Sequence, residues 1–354
     1  MDIPAALQKI VAGNDLSQSE AAAVFHSIMS GNSTPAQIGA LLAALRVKGE
    51  SAEEIAGAAT TMRALSTKVE VDIEHLVDTC GTGGSGSKLF NISTAAAFVA
   101  AAAGAHVAKH GNRKMTSFSG SADVLEAAGV SLALTPAQIA SCISDVGVGF
   151  LFAQAHHSAM RFAGPVRQEI GIRTLMNVLG PMTNPAGARC QVIGVFSSEW
   201  QHKMAEVLAL LDTQHAMIVH SGGLDEIRLD ADTTVVELNN GSIETYSISP
   251  QDFPISKHSD AAIAELTAQS SEQSLQLVKQ ALSDETSAAA DIVSLNAGAA
   301  IYVSGVADTF MDGVVMAQDA IASGQARERL AELIRISSLM AEENTAANKD
   351  TKST

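Results

Sequence analysis

Cysteine is scarce in this chain of 354 residues. Cys80, Cys142 and Cys190 are an odd number at wide, unrelated spacings, which argues against a disulfide framework and against a zinc site, and fits a reducing compartment. Long hydrophobic runs are missing too. The longest apolar stretch, Ala95–Ala108, is Ala-rich and too short to span a bilayer, and Met1-Asp2-Ile3-Pro4 offers no basic start followed by an apolar core. The expectation is a cytoplasmic chain, neither secreted nor membrane-embedded. Basic charge is in deficit, with 22 Lys and Arg against 38 Asp and Glu and a net charge of -16, which repels nucleic acid unless a basic patch is set apart. Charged residues are 17% and hydrophobic ones 47%, which excludes a disordered chain and leaves a well-buried one.

What basic charge there is gathers in the middle. Between Lys88 and Arg173 lie seven basic residues (Lys88, Lys109, Arg113, Lys114, Arg161, Arg167, Arg173) against four acidic ones (Asp123, Glu126, Asp145, Glu169). An acidic protein with a locally basic centre suggests a small anionic ligand held there. The length allows two cores, because single cores stop growing near roughly 250–300 residues. One small and one large domain is the starting expectation.

The first 66 residues carry recurrent helix-start signals. Ser17-Gln18-Ser19-Glu20 and Ser51-Ala52-Glu53-Glu54 are capping boxes, and Thr34-Pro35 is a cap followed by proline, with Ile38, Leu41, Leu42 and Leu45 at helical spacing behind it. From about Glu74 the texture becomes short β-branched runs alternating with Ala-rich stretches. Leu76–Asp78, His106–Ala108, Val130–Leu134, Val148–Phe152, Val192–Phe196 and Ala216–His220 read as strands, and Thr135-Pro136-Ala137-Gln138 as a further helix start. Thr233–Leu238 and Ile243–Ile248 flank Asn239-Asn240-Gly241-Ser242 as an antiparallel hairpin. Strand–helix repetition predicts an α/β fold: a small all-helical N-terminal domain, and a larger α/β domain with a mostly parallel central sheet flanked by helices. The boundaries expected are 1–70 for the helical domain, completed by a helical segment near 165–190, and 71–340 for the α/β domain. Residues 341–354, polar and aperiodic, read as a flexible tail. With no internal repeat or low-complexity linker, the domains are expected to pack closely, with more than one crossing.

The most informative segment is Asp78-Thr79-Cys80-Gly81-Thr82-Gly83-Gly84-Ser85-Gly86, followed by Asn91-Ile92-Ser93-Thr94 and an Ala-rich helix. Closely spaced glycines let the backbone turn sharply and present N–H groups, and the helix start adds orphan donors and a positive dipole end, a plausible pyrophosphate cradle. The bland alternative is a tight turn with Asn91 or Ser93 capping the helix. Gly81–Gly86 formally fits the dinucleotide pattern, but the helix starts late and no acid lies between Thr79 and Ala122 to hold a ribose. GxxxxGK[ST] is absent here. Lys109-His110-Gly111-Asn112-Arg113 follows the next strand and leads into Thr116-Ser117-Phe118-Ser119-Gly120-Ser121-Ala122-Asp123, a run rich in phosphate donors unless it is a solvated basic loop. A lone histidine such as His110 is more often a structural hydrogen-bonder than a base. Asp225-Glu226, after the strand Ala216–His220, offer the hard oxygens that suit magnesium, although such a pair is commonly a solvated turn.

In order and spacing, Asp-x-x-Gly-Thr-Gly-Gly, Asn-Ile-Ser-Thr, Lys-His-Gly-Asn-Arg and Gly-Ser-Ala-Asp resemble the anthranilate phosphoribosyltransferases. Gly164–Thr174, Asn177–Pro185 and Gly223-Leu224-Asp225-Glu226 agree, and the resemblance runs to about residue 340. It implies transfer of a phosphoribosyl group from phosphoribosyl pyrophosphate (PRPP) to the amine of anthranilate in tryptophan biosynthesis, by a magnesium-dependent homodimer joined through helical domains. It implies that Gly81, Gly84, Asn91, Ser93, Thr94 and Lys109 hold PRPP, with the loop Arg113, Lys114, Met115, Thr116, Ser117 and with Ser121. Ser85, Leu89, Ile92, His110 and Gly111 belong to the same substrate-binding stretch. Asn112 and Arg167 are implied to contact anthranilate, Arg167 pairing with the carboxylate, a role its guanidinium fork suits; the competing role is an ion pair with Glu169 or another acid. Lys109, Arg167 and Asn112 are the residues expected to carry the reaction, and Ser93, Asp225 and Glu226 to ligate Mg2+. His156 and His157 match the segment lining the aromatic substrate's path.

Two positions depart from the family pattern, Ser85 where Asp is usual and Leu89 where Ser or Thr is usual. The expectation is that activity survives with altered affinity for the donor, Lys88 standing near enough to supply charge. Pyrimidine nucleoside phosphorylases share the architecture, but their Lys-His-Ser-Thr-Gly-Gly loop differs. A non-catalytic nucleic-acid-binding relative is disfavoured by the net charge and by the presence of Asn91–Thr94 and Asp225-Glu226.

Overall fold

The computed structural model describes residues 1–83, 86, 88–114 and 118–350. The chain begins with four helices, each starting at a polar cap. Asp2 accepts the Ala5 N–H at 2.9 Å ahead of α1 (Ile3–Val11). Ser17, Thr34 and Ser51 form complete capping boxes at α2 (Gln18–Met29), α3 (Pro35–Lys48) and α4 (Ala52–Leu65). Each cap contributes about 1 kcal/mol by satisfying helix-end donors. The apolar stripe of α3, Ile38, Leu41, Leu42 and Leu45, is wholly buried.

Glu54 does more than close its box. Its carboxylate is buried and accepts from the Leu16 N–H (2.9 Å), the Ser51 N–H (2.8 Å) and Lys48 Nζ (3.0 Å), tying α4 to the loops before α2 and after α3. Glu54→Ala is therefore expected to lower unfolding free energy by about 3 kcal/mol, because it leaves buried donors unpaired. Urea unfolding checks this, and a loss below about 1 kcal/mol, the range of an exposed pair, would contradict it.

The rest of the chain winds around one sheet. β1 (Leu76–Gly81), β2 (His106–Gly111), β3 (Val148–Phe152), β4 (Cys190–Gly194) and β5 (His215–His220) run parallel, and β6 (Thr233–Asn239) and β7 (Ser242–Ile248) add an antiparallel edge in the order β3-β2-β1-β4-β5-β6-β7. The hairpin turns at Asn240 and Gly241, both at positive φ, as a tight primed turn requires. The strand order reverses between β1 and β4, a switch point whose carboxyl-side crevice is where open sheets bind ligands.

The connections supply α5 (Ile92–Ala102), α6 (Ser121–Ala128), α7 (Pro136–Ser141), α8 (Ala153–His156), α9 (Gly164–Ile170) and α10 (Glu199–Leu210). After the hairpin come α11 (Asp260–Ala264), α12 (Ser271–Ala281), α13 (Ala288–Val303), α14 (Phe310–Ala322) and α15 (Gln325–Asp350). Alternation along the strands sends side chains to opposite cores. Val77, Val107, Met217 and Val235 join α5 and α12–α15 on one face. Ile193, Ile218, Val236 and Leu238 join the N-terminal helices and α10 on the other. Ala163, Val166, Leu175, Met176, Leu179 and Met182 enter that second core, and α9 lays Val166 and Ile170 against Gly39 of α3.

Val130–Leu134, expected as a strand, is irregular. Its Val130 N–H donates to Leu125 O at the end of α6 and its Ser131 N–H to Ser337 Oγ of α15, so its donors are satisfied without a ladder and the sheet ends at β3. At the other end, α15 passes the boundary placed at residue 340 without a break and continues to Asp350. Among the described residues no helix is long and apolar enough to cross a membrane.

Candidate active site

The loops leaving β1, β2, β4 and β5 at their carboxyl ends enclose a cavity of about 260 Å3. Its floor is the start of α5. β1 ends at Gly81 and α5 does not begin until Ile92, so a long glycine-rich connection crosses the switch point. Thr82 anchors its base: the Thr82 N–H donates to Gly194 O (2.9 Å), and Thr82 Oγ1 accepts from the Phe196 N–H (3.3 Å). Gly84 and Ser85 lie outside the described residues, as do Met115, Thr116 and Ser117.

Asn91 is not a cap. Its side chain makes no capping bond to α5; Oδ1 accepts from Ser274 Oγ (2.7 Å) and Nδ2 donates to Ser119 O (3.4 Å), which holds it in the cavity wall between α12 and the β2–α6 loop. Lys109, at the end of β2, is buried and donates through Nζ to Thr79 O (2.5 Å) and Ser93 Oγ (3.3 Å). Burial lowers its pKa, opposed chiefly by Asp78. An ammonium has three donors, so one remains for a ligand in the cavity.

Asp78 opens the diagnostic motif yet does not line the cavity. It is fully buried, accepting from the His110 N–H (3.0 Å) and Asn184 Nδ2 (2.8 Å), while the same Asn184 amide donates to Ala108 O (2.8 Å). This brace fixes β1, β2 and the turn at residues 183–187 relative to one another. Burial raises its pKa, against the pull of these bonds and of Lys109.

Asp225 and Glu226 hang over the ends of β1 and β4. A Cβ on Gly194 would fall 1.7 Å from Asp225 O, so only glycine admits the acid loop at the end of β4, whereas one on Gly81 would fall 2.9 Å from the carboxylate oxygen Asp225 Oδ2, a side-chain end that can shift. From below, Asn296 of α13 clasps the backbone, accepting from the Ile227 N–H (3.1 Å) and donating to Ile227 O (2.9 Å). Glu226 is pushed up to about 8, first by burial and then by the neighbouring Asp225 charge, against the pull of Lys109 and of the Ser93 N–H at the start of α5. Two adjoining carboxylates open to a cavity form a hard-oxygen donor set of the kind that suits a divalent cation. Among the described residues no group of three or more His, Cys, Asp and Glu side chains could hold an ion alone. The pair therefore fits a magnesium ion completed by Ser93, substrate phosphates and water, and does not form a closed cage.

A second chamber of about 230 Å3 adjoins the first through Gly81, Gly111, Asn112 and Arg167, with Met62, Met160, Met176 and Leu179 among its apolar walls. Arg167 projects from α9 into this junction, and burial lowers its pKa. Its guanidinium has no hydrogen-bond or ion-pair partner among the described residues, and Glu169 is not paired with it. A half-buried guanidinium fork without an acid has the geometry to take a carboxylate bidentately. His110 donates through Nδ1 to Gly180 O (3.1 Å) and stands 5.2 Å, ring to ring, from His157. Burial above all lowers these to about 3 and about 4, so both rings are neutral walls and not bases in the neutral range. His156 is buried against Thr67 O at 2.7 Å.

Of the other residues singled out from sequence, Gly81, Leu89, Asn91, Ser93, Gly111, Asn112 and Ser121 line the first cavity with Lys109, His110 and Arg167. Arg113 lines it too, but its guanidinium is held by Glu126 and by Asp123 (3.3 Å). Leu89 bridges to Thr267 and packs its side chain on the main core, and Lys88 lies 5.9 Å over Phe118. Ile92 and Thr94 are buried in α5 beneath the cavity wall, and Lys114 offers its backbone N–H to Asp123. Sequence reasoning missed Thr82, Gly194, Phe196, Asn296 and Arg173. Thr82 and Arg173 lay within quoted motifs, whereas Gly194, Phe196 and Asn296 have no chemistry that marks them.

Residues 4–66 match the model of the glycosyl transferase family, helical bundle domain, and residues 73–327 that of the glycosyl transferase family, a/b domain. The helical bundle set against a switch-point cleft thus defines a two-domain glycosyl transferase. The anthranilate phosphoribosyltransferase of Thermus thermophilus has the same fold, with a TM-score of 0.88 and 40% identity over 94% of this chain and 99% of that one. The Saccharomyces cerevisiae enzyme in complex with PRPP and Mg gives 0.83 and 26% over 95% and 98%. A curated relative, the anthranilate phosphoribosyltransferase of Cellvibrio japonicus, is 54% identical over 338 residues, 94% of this chain and 98% of its own length. The chain belongs to the anthranilate phosphoribosyltransferase family.

Proposed function

We propose that this protein transfers the 5-phosphoribosyl group of PRPP to the amine of anthranilate, giving N-(5-phosphoribosyl)anthranilate and pyrophosphate in tryptophan biosynthesis. The observation that carries the reading is the paired cavity: a phosphate-suited chamber with Lys109 and two acids, opening through Arg167 onto an apolar chamber sized for one aromatic ring. Ser93, Asp225 and Glu226 would hold magnesium, which when bound neutralises charge on the phosphates of the donor.

The bond from the anomeric carbon to the pyrophosphate oxygen breaks as the carbon–nitrogen bond forms, the ring takes on oxocarbenium character, and the nitrogen then gives up one proton to the departing pyrophosphate or to water. Lys109 and the backbone N–H groups of the glycine loop stabilise the charge growing on the departing oxygens. An aromatic amine is neutral at physiological pH and needs no base before it attacks, which agrees with the low pKa of His110 and His157. Positioning is the remaining contribution, and Arg167 with Asn112 supplies it.

Arg167→Ala is accordingly expected to raise the KM for anthranilate by about tenfold or more, the worth of a charge-assisted bond, with far less effect on the KM for PRPP. Equal loss on both substrates would contradict this division. Mass spectrometry of the product, with pyrophosphate release measured alongside, tests the reading itself; a folded protein that makes neither would refute it. We also propose that the chain acts in the cytoplasm as a homodimer through its helical unit, where Val11 and Val47, exposed at the ends of α1 and α3, would be covered.

A further inference from the structure

We infer that Ser274 of α12 is a positioning residue for the phosphoribosyl donor: it fixes which end of the Asn91 amide faces the cavity, so that PRPP meets an N–H donor and not a carbonyl oxygen. The inference rests on the reading of this cavity as the PRPP site. Ser274 is fully buried and does not line the cavity itself, so it acts only through its neighbour.

The Asn91 N–H donates to Ser274 Oγ at 3.0 Å, and Ser274 Oγ donates in turn to Asn91 Oδ1 at 2.7 Å. The hydroxyl thereby places its one hydrogen on Oδ1. At the other end of the amide, Nδ2 donates to Ser119 O at 3.4 Å. A flipped amide would set its oxygen against that carbonyl oxygen, so both partners select the same orientation. An amide nitrogen carries two hydrogens, and one is left for an acceptor oxygen in the cavity that Asn91 lines. With Oδ1 held by Ser274, the side chain makes no capping bond to α5, although its position at the helix start favours one.

Ser274 is itself firmly placed. Ser270 caps α12, accepting from the Gln273 N–H at 3.2 Å, and Leu275, Val278 and Ala281 sink the helix into the main core. The chain before Asn91 is tied to the segment leading into α12 by other bonds. The Phe90 N–H donates to Leu266 O (2.9 Å), the Ala268 N–H donates to Lys88 O (2.8 Å), and Leu89 bridges Thr267. The backbone at Asn91 therefore has support besides Ser274, and loss of the hydroxyl frees the amide to turn without dismantling the wall.

The test is calorimetric titration of PRPP with magnesium onto the wild-type protein, Ser274→Ala, Ser274→Cys, Asn91→Ala and the Ser274→Ala/Asn91→Ala double variant. Steady-state kinetics are run on the same samples, and thermal melts check folding. Ser274→Ala is expected to weaken PRPP binding and raise its KM by about tenfold, while the KM for anthranilate changes less than about twofold. In the Asn91→Ala background the same substitution should change PRPP affinity by less than about twofold, because no amide remains to be oriented. Ser274→Cys, whose thiol is a weak donor, should fall between wild type and Ser274→Ala. Unchanged PRPP affinity in folded Ser274→Ala overturns the inference, and so does a tenfold loss that persists in the Asn91→Ala background; if Ser274→Ala does not fold, unchanged affinity in Ser274→Cys overturns it. A wild-type protein that does not bind PRPP overturns the functional reading and this inference together, whereas wild-type binding that Ser274→Ala retains in full overturns only the role of Ser274.

Discussion

Asp225→Asn is expected to lower turnover by about a hundredfold or more and to move the magnesium dependence to higher concentration, because one of two carboxylates facing the metal position loses its charge. The effect should exceed that of any exposed substitution. Asp225 and Glu226 are set side by side over the ends of β1 and β4, and the raised pKa of Glu226 reflects its burial first and then the charge of its neighbour. Removing that charge makes Glu226 easier to ionise but leaves a single formal negative charge for a divalent ion. Turnover measured across a magnesium titration checks this. A variant with wild-type turnover and an unchanged midpoint would show that the pair is a solvated turn.

Gly194→Ala should be nearly as damaging, although glycine has no side chain to contribute. The new methyl would sit 1.7 Å from Asp225 O, and backbone cannot yield as a flexible side chain can. Either β4 or the acid loop must move, and both acids move with it. We expect loss of at least about tenfold in turnover, because misplacing reacting groups by an ångström carries such a penalty, with the sheet still folded. Circular dichroism with a magnesium titration separates this from global unfolding. Full activity in Gly194→Ala would mean that the loop is not seated as described.

These two cases mark the limit of what the sequence discloses. The acids were legible as a pair because of their chemistry and the motif around them. Gly194, which makes room for them, ends an ordinary apolar run and has no local signature. The helix starts were legible for a similar reason: Ser17, Thr34, Ser51 and Thr135 cap through bonds three residues long, so the signal is local. Val130–Leu134 shows the converse. Its apolar residues fit a strand, but its Ser131 N–H is taken by Ser337 of α15, two hundred residues away, and not by a neighbouring strand. Asp78 carries the motif yet braces β1 against Asn184, and the 106-residue separation of that pair gives no periodic trace. Asn91 read equally well as a cap or a ligand contact; it makes no capping bond, and its bond to Ser274 of α12 sets it in the cavity wall. Arg167 was legible as a cation and as part of a motif, whereas its lack of an acid partner is a tertiary fact.

The most direct test of the account is the loss of anthranilate fluorescence in the presence of PRPP, with magnesium supplied or chelated. The account predicts consumption that requires donor and metal together and stops when either is withheld. Consumption that persists without PRPP or after chelation, or none at all from the folded protein, would contradict it.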